Sequence, residues 1–168
     1  MKTRIFTSLA IALLLIATLV MPAVAAEFGE LTASATVGAT ISITVSDTAG
    51  AAGVLFGSVN VGDDNVEDSG IGVATPSARV TVDAGTTIPV DLAVKGTNFG
   101  TGFPVSQAKW NTSYTTVGAT SMSTSNAEFA GPLDATDTAD IWFWLDVPES
   151  GITAQIYNST FTITAVTA

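Results

Sequence analysis

The 168-residue chain carries fifteen acidic and five basic residues, and neither histidine nor cysteine. Those absences remove Ser-His-Asp and Cys-His nucleophilic catalysis, thiolate chemistry and nearly every zinc or copper site, leaving carboxylates and oxygen-ligand metals. A net charge of −10 repels nucleic-acid phosphates and anionic lipid head groups, which excludes a nucleic-acid partner.

The chain opens with the basic Met1-Lys2-Thr3-Arg4, then an apolar run from Ile11 to Val20, then the small residues Ala23-Val24-Ala25-Ala26. This order reads as a secretory signal peptide over residues 1–26, cleaved beside Ala26. The apolar core is shorter than the ~20 residues a membrane span needs, so a retained anchor is the lesser reading. The remainder, 27–168, is expected to be a single secreted domain with no membrane span. Its basic residues are Arg79, Lys95 and Lys109 against fifteen acidic ones, a net charge near −12.

Downstream of the leader Gly, Thr, Ser, Ala and Val dominate, a composition suited to strands and turns. Glu27 to Val37 is lightly amphipathic, with a strand expected over Leu31 to Val37. It either begins the sheet or leaves its own domain to add an edge strand to a neighbour, since sheet edges expose unpaired N–H and C=O groups. Thr40 to Ser46 alternates Ile41, Ile43 and Val45 with hydroxylic residues, the period of a half-buried strand. Val54 to Asn60 is expected to be the next strand.

Between Val61 and Ser69 the oxygen donors Asp63, Asp64, Asn65, Glu67 and Asp68 crowd together. They make either a calcium site or a solvated acidic turn; the alternation resembles half an EF-hand loop but lacks its glycine and closing glutamate. No other cofactor is called for.

Further strands follow at Arg79 to Asp83 and Ile88 to Lys95, each alternating, then at Lys109 to Thr116 and Thr120 to Ser123. Asn111-Thr112-Ser113 and Asn158-Ser159-Thr160 both fit the N-glycosylation acceptor pattern, which makes Asn111 and Asn158 candidate glycan sites. Asp63 to Gly72 and Ser121 to Ala139 read as mobile loops, with Gly131-Pro132 as a turn.

Asp140 to Val147 is apolar on both faces, with Ile141, Phe143, Leu145 and Val147 on one and Trp142 and Trp144 on the other. Either a loop covers the tryptophan face, or the pair meets another subunit or stacks on sugar rings. Phe161, Ile163 and Ala165 alternate with threonines in the last strand. Asp146 and Glu149 form the one acidic pair beside an aromatic cluster, too little for a glycosidase, and no enzymatic activity is expected.

Eight or nine short strands separated by Gly, Pro and Asp turns predict an all-β fold, a single antiparallel β-sandwich of immunoglobulin-like or jelly-roll type. The leader, Ile41-Ser42-Ile43-Thr44-Val45, Leu55 to Gly62, Ile88-Pro89-Val90-Asp91-Leu92, Trp144 to Pro148 and Tyr157 to Val166 together resemble small secreted β-sandwich surface proteins. The TasA-like biofilm fibre proteins and the archaeal bundling pilins are similar in style. The resemblance implies an extracellular filament or biofilm-matrix subunit, a homopolymer joined by donation of the N-terminal strand, with no catalytic residues. The rival expectation is a monomeric surface module that binds carbohydrate or calcium, with glycans or other surface proteins as partners.

Overall fold

The computed structural model describes residues 39–48 and 53–168. The leader at 1–26, the strand expected over Leu31 to Val37 and the whole donor segment Glu27 to Val37 lie outside the described residues. Within 38–168 the described chain is all-β: β1 Ile43–Asp47, β2 Val66–Glu67, β3 Ala78–Val82, β4 Val90–Gly96, β5 Ala108–Asn111, β6 Thr120–Ser121, β7 Ala127–Leu133, β8 Thr138–Leu145 and β9 Phe161–Thr167. Among the described residues no helix is long and apolar enough to cross a membrane.

The strands form two antiparallel sheets. One runs β1-β3-β8-β5-β6, with β2 also on β8; the other runs β7-β4-β9. The long β8 organises the first sheet. Its N-terminal half pairs with β3, from Thr81 opposite Thr138 to Ala78 opposite Ile141. Its C-terminal half pairs with β5 on one edge and, on the other, with β2 at Val66 opposite Leu145 and Glu67 opposite Trp144. Strands β2 and β3 thus share one edge of β8, separated by the excursion 68–77.

Alternation places the core. Val80 and Val82 of β3 and Val90, Leu92 and Val94 of β4 are fully buried, and Ile141, Phe143 and Leu145 of β8 are nearly so. Burying an aliphatic side chain of this kind contributes roughly 1.5–3 kcal/mol. Two adjoining clusters fill the interior. One centres on Val80, Val82, Val90 and Leu92, the other on Phe103, Val105, Trp110, Met122, Phe143 and Leu145. Gly96 is required beside the second of these: a Cβ there would lie 2.7 Å from Val105 Cγ2 and 3.0 Å from Phe161 Cδ1.

Three sequence expectations are corrected. Val54 to Asn60 is irregular chain: Gly57 takes φ +68, and the segment is tied to Asp68 and Ser69 at a single residue, Leu55. The segment read as a loop from Ser121 to Ala139 contains β7, paired with β4 from Val94 opposite Ala127 to Val90 opposite Leu133. The register shifts beside Leu92, which takes Gly131 and its cis-linked Pro132 into an edge strand, where a missing N–H is tolerated. The strand expected over Lys109 to Thr116 stops at Asn111. There the Asn111 amide turns the chain by donating from Nδ2 to Thr115 O and Val117 O while Oδ1 accepts from Thr112 N.

Candidate functional site

Strand β1 is an edge strand, hydrogen-bonded to β3 with Ile43 opposite Val82 and Asp47 opposite Ala78. Ile41, Ile43 and Val45 share one face of it by period two. Ile41 and Ile43 pack against the Val80–Leu92 cluster, as do Ile163 and Ala165 of the opposing edge strand β9. Val45 departs from the pattern. It has the parity of a core residue yet is 48% exposed.

Beside Val45 a cleft of about 1010 Å³ lies between the two sheets. Ala78, Phe143 and Leu145 from the first sheet line it, as do Phe161 and Ile163 from β9 and Phe99 and Phe103 from the loop after β4. Its lining is the continuation of the core. Phe143 packs on Phe161 with ring centroids 5.0 Å apart, and Phe99 meets Phe103 at 4.7 Å and Phe161 at 6.1 Å. The ring contacts of Phe99, Phe103, Phe143 and Phe161 form a continuous aromatic wall beside the uncovered valine.

Two segments without regular strand pairing bound the cleft. The first, 53–59, presses Val54, Phe56 and Val59 onto the core and leaves Leu55 half exposed. Leu55 N donates to Asp68 Oδ1 at 2.7 Å, Ser69 N donates to Leu55 O at 2.7 Å, and Gly53 N donates to Asp47 Oδ2 at 2.7 Å. The second, 154–160, packs the Tyr157 ring on Phe103 at 5.2 Å, while the Tyr157 hydroxyl accepts from Thr153 N at 3.0 Å. Ile156 on that segment is 87% exposed. Of the large hydrophobic side chains that face water, Val45, Leu55 and Ile156 all stand on this one feature.

The five oxygen donors, read as either a calcium site or a solvated acidic turn, are dispersed among separate partners. Asp63 Oδ2 accepts from Asn60 N at 2.6 Å, and Asp64 is exposed. Asn65 donates its N–H to Asp146 and accepts from Lys109 Nζ at 3.2 Å, while Lys109 ion-pairs with Asp146. Glu67 accepts from the Tyr114 hydroxyl at 2.7 Å. Asp68 turns inward and is 2% exposed. The reason is strand parity: pairing Val66 to Leu145 and Glu67 to Trp144 sends alternate residues to opposite faces. Among the described residues no group of three or more acidic side chains could hold a metal ion.

Asp68 is the unusual member of that set. Its Oδ2 is buried without a hydrogen-bond partner. Burial pushes its pKa up, only partly offset by the Leu55 N–H and the Ser77 hydroxyl, and the nearby Asp47 charge adds to the rise.

Of the two readings of Trp142 and Trp144, cover by the chain itself is the one the structure shows. Trp142 is 6% exposed, and its Nε1 donates to Gly72 O at 2.9 Å in the excursion 68–77. Trp144, 2% exposed, lies under the Tyr114 ring at 6.2 Å, with cross-strand neighbours Glu67 and Lys109 on either side. Asn111 is partly buried with its amide engaged, whereas Asn158 is exposed on the rim of the cleft.

The sequence contains no signal for the cleft beyond Val45's place in an alternating strand, since the lining comes from six separate stretches of chain. Fold and site together define a class: an antiparallel β-sandwich whose core is left open between two edge strands. No family model, curated protein or solved structure matches the chain, and nothing beyond the strand and turn phrases joins it to the TasA-like fibre proteins or the bundling pilins.

Proposed function

We propose that this chain is an extracellular structural protein, a cell-surface filament or biofilm-matrix subunit that assembles when the N-terminal segment of one copy adds as a strand to the next. One observation carries the reading: the core-parity residue Val45 is half exposed beside an apolar cleft of about 1010 Å³ bounded by the edge strands β1 and β9. A sandwich that leaves such a face uncovered lacks about one strand of apolar side chains. Edge strands on both sides supply N–H and C=O groups to pair an incoming extended segment.

The occupant proposed is Leu31-Thr32-Ala33-Ser34-Ala35-Thr36-Val37 of a neighbouring copy. Its period-two pattern sets Leu31, Ala33, Ala35 and Val37 on one face and hydroxylic residues on the other, as an inserted strand between core and solvent requires. Donation from each copy to the next is a heterologous contact, and such contacts build open filaments when they do not close. Export by the leader 1–26, and a role without catalysis, complete the proposal.

The test is negative-stain microscopy and size-exclusion chromatography of the chain from Glu27 onward, beside a variant that begins at Gly38. The longer chain should form filaments or a concentration-dependent ladder, and the shorter one should stay monomeric and bind a synthetic 31–37 peptide. Assembly that survives the deletion unchanged would remove strand donation. A strict monomer that titrates with a glycan or calcium in calorimetry would favour the binding-module reading instead.

A further inference from the structure

We propose that Asn158, and not Asn111, is the asparagine that carries an N-linked glycan on the folded chain, taken from a lipid-linked oligosaccharide phosphate donor. Both stand in acceptor triplets, Asn111-Thr112-Ser113 and Asn158-Ser159-Thr160, so sequence alone ranks them equally. In the transfer the side-chain Nδ2 attacks the anomeric carbon of the donor sugar. The carbon–nitrogen bond forms, the bond from that carbon to the phosphate oxygen breaks, the phosphate leaves with the electron pair, and the amide proton passes to a base of the transferase. No oxidation state changes. What the chain must supply is an amide nitrogen free to enter another protein's active site.

Asn111 does not supply one. Its Nδ2 donates to Thr115 O at 3.0 Å and to Val117 O at 3.3 Å, and its Oδ1 accepts from Thr112 N at 2.8 Å. It also occupies the last rung of β5, opposite Trp142. Modifying it would replace one of the two Nδ2 hydrogens with a sugar, so at least one of the two carbonyls in the turn that follows β5 would lose its donor, at about the cost of a lost hydrogen bond. The amide is a structural keystone.

Asn158 has the opposite setting. It is exposed, it lies in irregular chain just ahead of β9, and the Thr160 that completes its triplet is exposed as well. The chain beyond it is held without using its amide. Thr160 N donates to Thr97 Oγ1 at 3.0 Å, Thr97 N donates to Thr160 O at 3.1 Å, and Ser159 Oγ donates to Thr97 O. The triplet is therefore displayed from a fixed base on an otherwise open segment. Because Asn158 also lines the cleft, a sugar there stands at its mouth.

The test incubates the purified, folded chain with an oligosaccharyltransferase and its lipid-linked oligosaccharide, and reads intact mass and glycopeptides. One glycan should appear, on Asn158. Asn158→Gln should abolish it, and so should Thr160→Ala, which keeps the asparagine and destroys only the triplet. Asn111→Gln should lower thermal stability and leave the glycan in place. A glycan mapped to Asn111 of the folded wild-type chain overturns the proposal. So does an unmodified Asn158 when a free Asn-Ser-Thr peptide is glycosylated in the same reaction. The mass readout does not depend on assembly, so this site and the strand-donation reading fail separately.

Discussion

Asp68 binds a proton more readily in the folded chain than in the unfolded one, because burial penalises its charge and Oδ2 has no donor to compensate. The sign follows from linkage. A group whose folded pKa is raised adds stability that is fully present below its unfolded value and is lost as pH rises through the folded value. The difference in Tm between wild type and Asp68→Asn should therefore shift in favour of wild type as pH falls from neutral into the ordinary aspartate range. A pH-independent difference in thermal melts would show that Asp68 does not titrate there. Asp83 has the opposite sense: the Ser42 and Thr44 hydroxyls donate to its carboxylate at 2.6 and 2.8 Å and hold its pKa down. What it contributes is present above the ordinary aspartate value and lost as pH drops through its folded one.

Glycine is required at position 102 for two separate reasons. It takes φ +76, and a Cβ would lie 2.2 Å from the carbonyl oxygen of Gly151. Left-handed backbone costs a non-glycine residue about 1–3 kcal/mol, and overpacking against rigid backbone adds about as much again. Gly102→Ala should thus lower unfolding free energy by roughly 2–6 kcal/mol, read by denaturant melts. Gly85, whose Cβ would meet nothing within 4 Å, is the control and should tolerate alanine.

At the scale of the element, β8 carries the most. Its inward row, Ile141, Phe143 and Leu145, closes the core, and its outward row is roofed by the chain itself. Truncating Phe143, which touches both the core and the cleft, should cost about 3–5 kcal/mol. The paired charges on the same sheet should matter much less. Arg79 meets Asp140 through Nε and Nη2 at 2.7 Å, but the arginine side chain is 46% exposed and water screens the pair. Arg79→Ala should leave Tm nearly unchanged, while a large drop would mean the pair fixes the β3–β8 register.

How much of each element was legible depended on how its backbone is satisfied. Strands β3, β4 and β9 announce themselves by alternation because one face of each carries the core residues, whereas β8 is legible as a continuous apolar run buried on both faces. Strand β7 shows neither signal. Ala127-Glu128-Phe129-Ala130-Gly131-Pro132-Leu133 carries the Gly-Pro signature of a turn, and only its pairing to β4 along one edge keeps it extended. Val54 to Asn60 errs in the other direction: its apolar residues pack on the core, but it lacks a partner strand beyond the single tie at Leu55.

For the molecule as a whole, charge opposes association. With fifteen acidic residues against five basic ones, copies repel at long range. Screening shortens that range from ~30 Å at 0.01 M salt to ~8 Å at 0.15 M. If copies join by an uncharged strand entering an apolar cleft, raising salt should speed assembly and leave its extent dependent on the segment 27–37. Light scattering across a salt series measures this. Assembly that dissolves as salt rises would point to ion pairing as the adhesive force.

Composition and period two by themselves determined that this chain builds antiparallel sheets and that it has no histidine or thiol for chemistry, because both follow from residue identity and local spacing. Only the tertiary structure decided which faces are covered. Trp142 and Trp144 were apolar on paper and are roofed by chain about seventy and thirty residues away, whereas Val45 looked like core and is uncovered. The physical reason is that alternation states which way a side chain points, while burial depends on what another part of the chain brings to meet it.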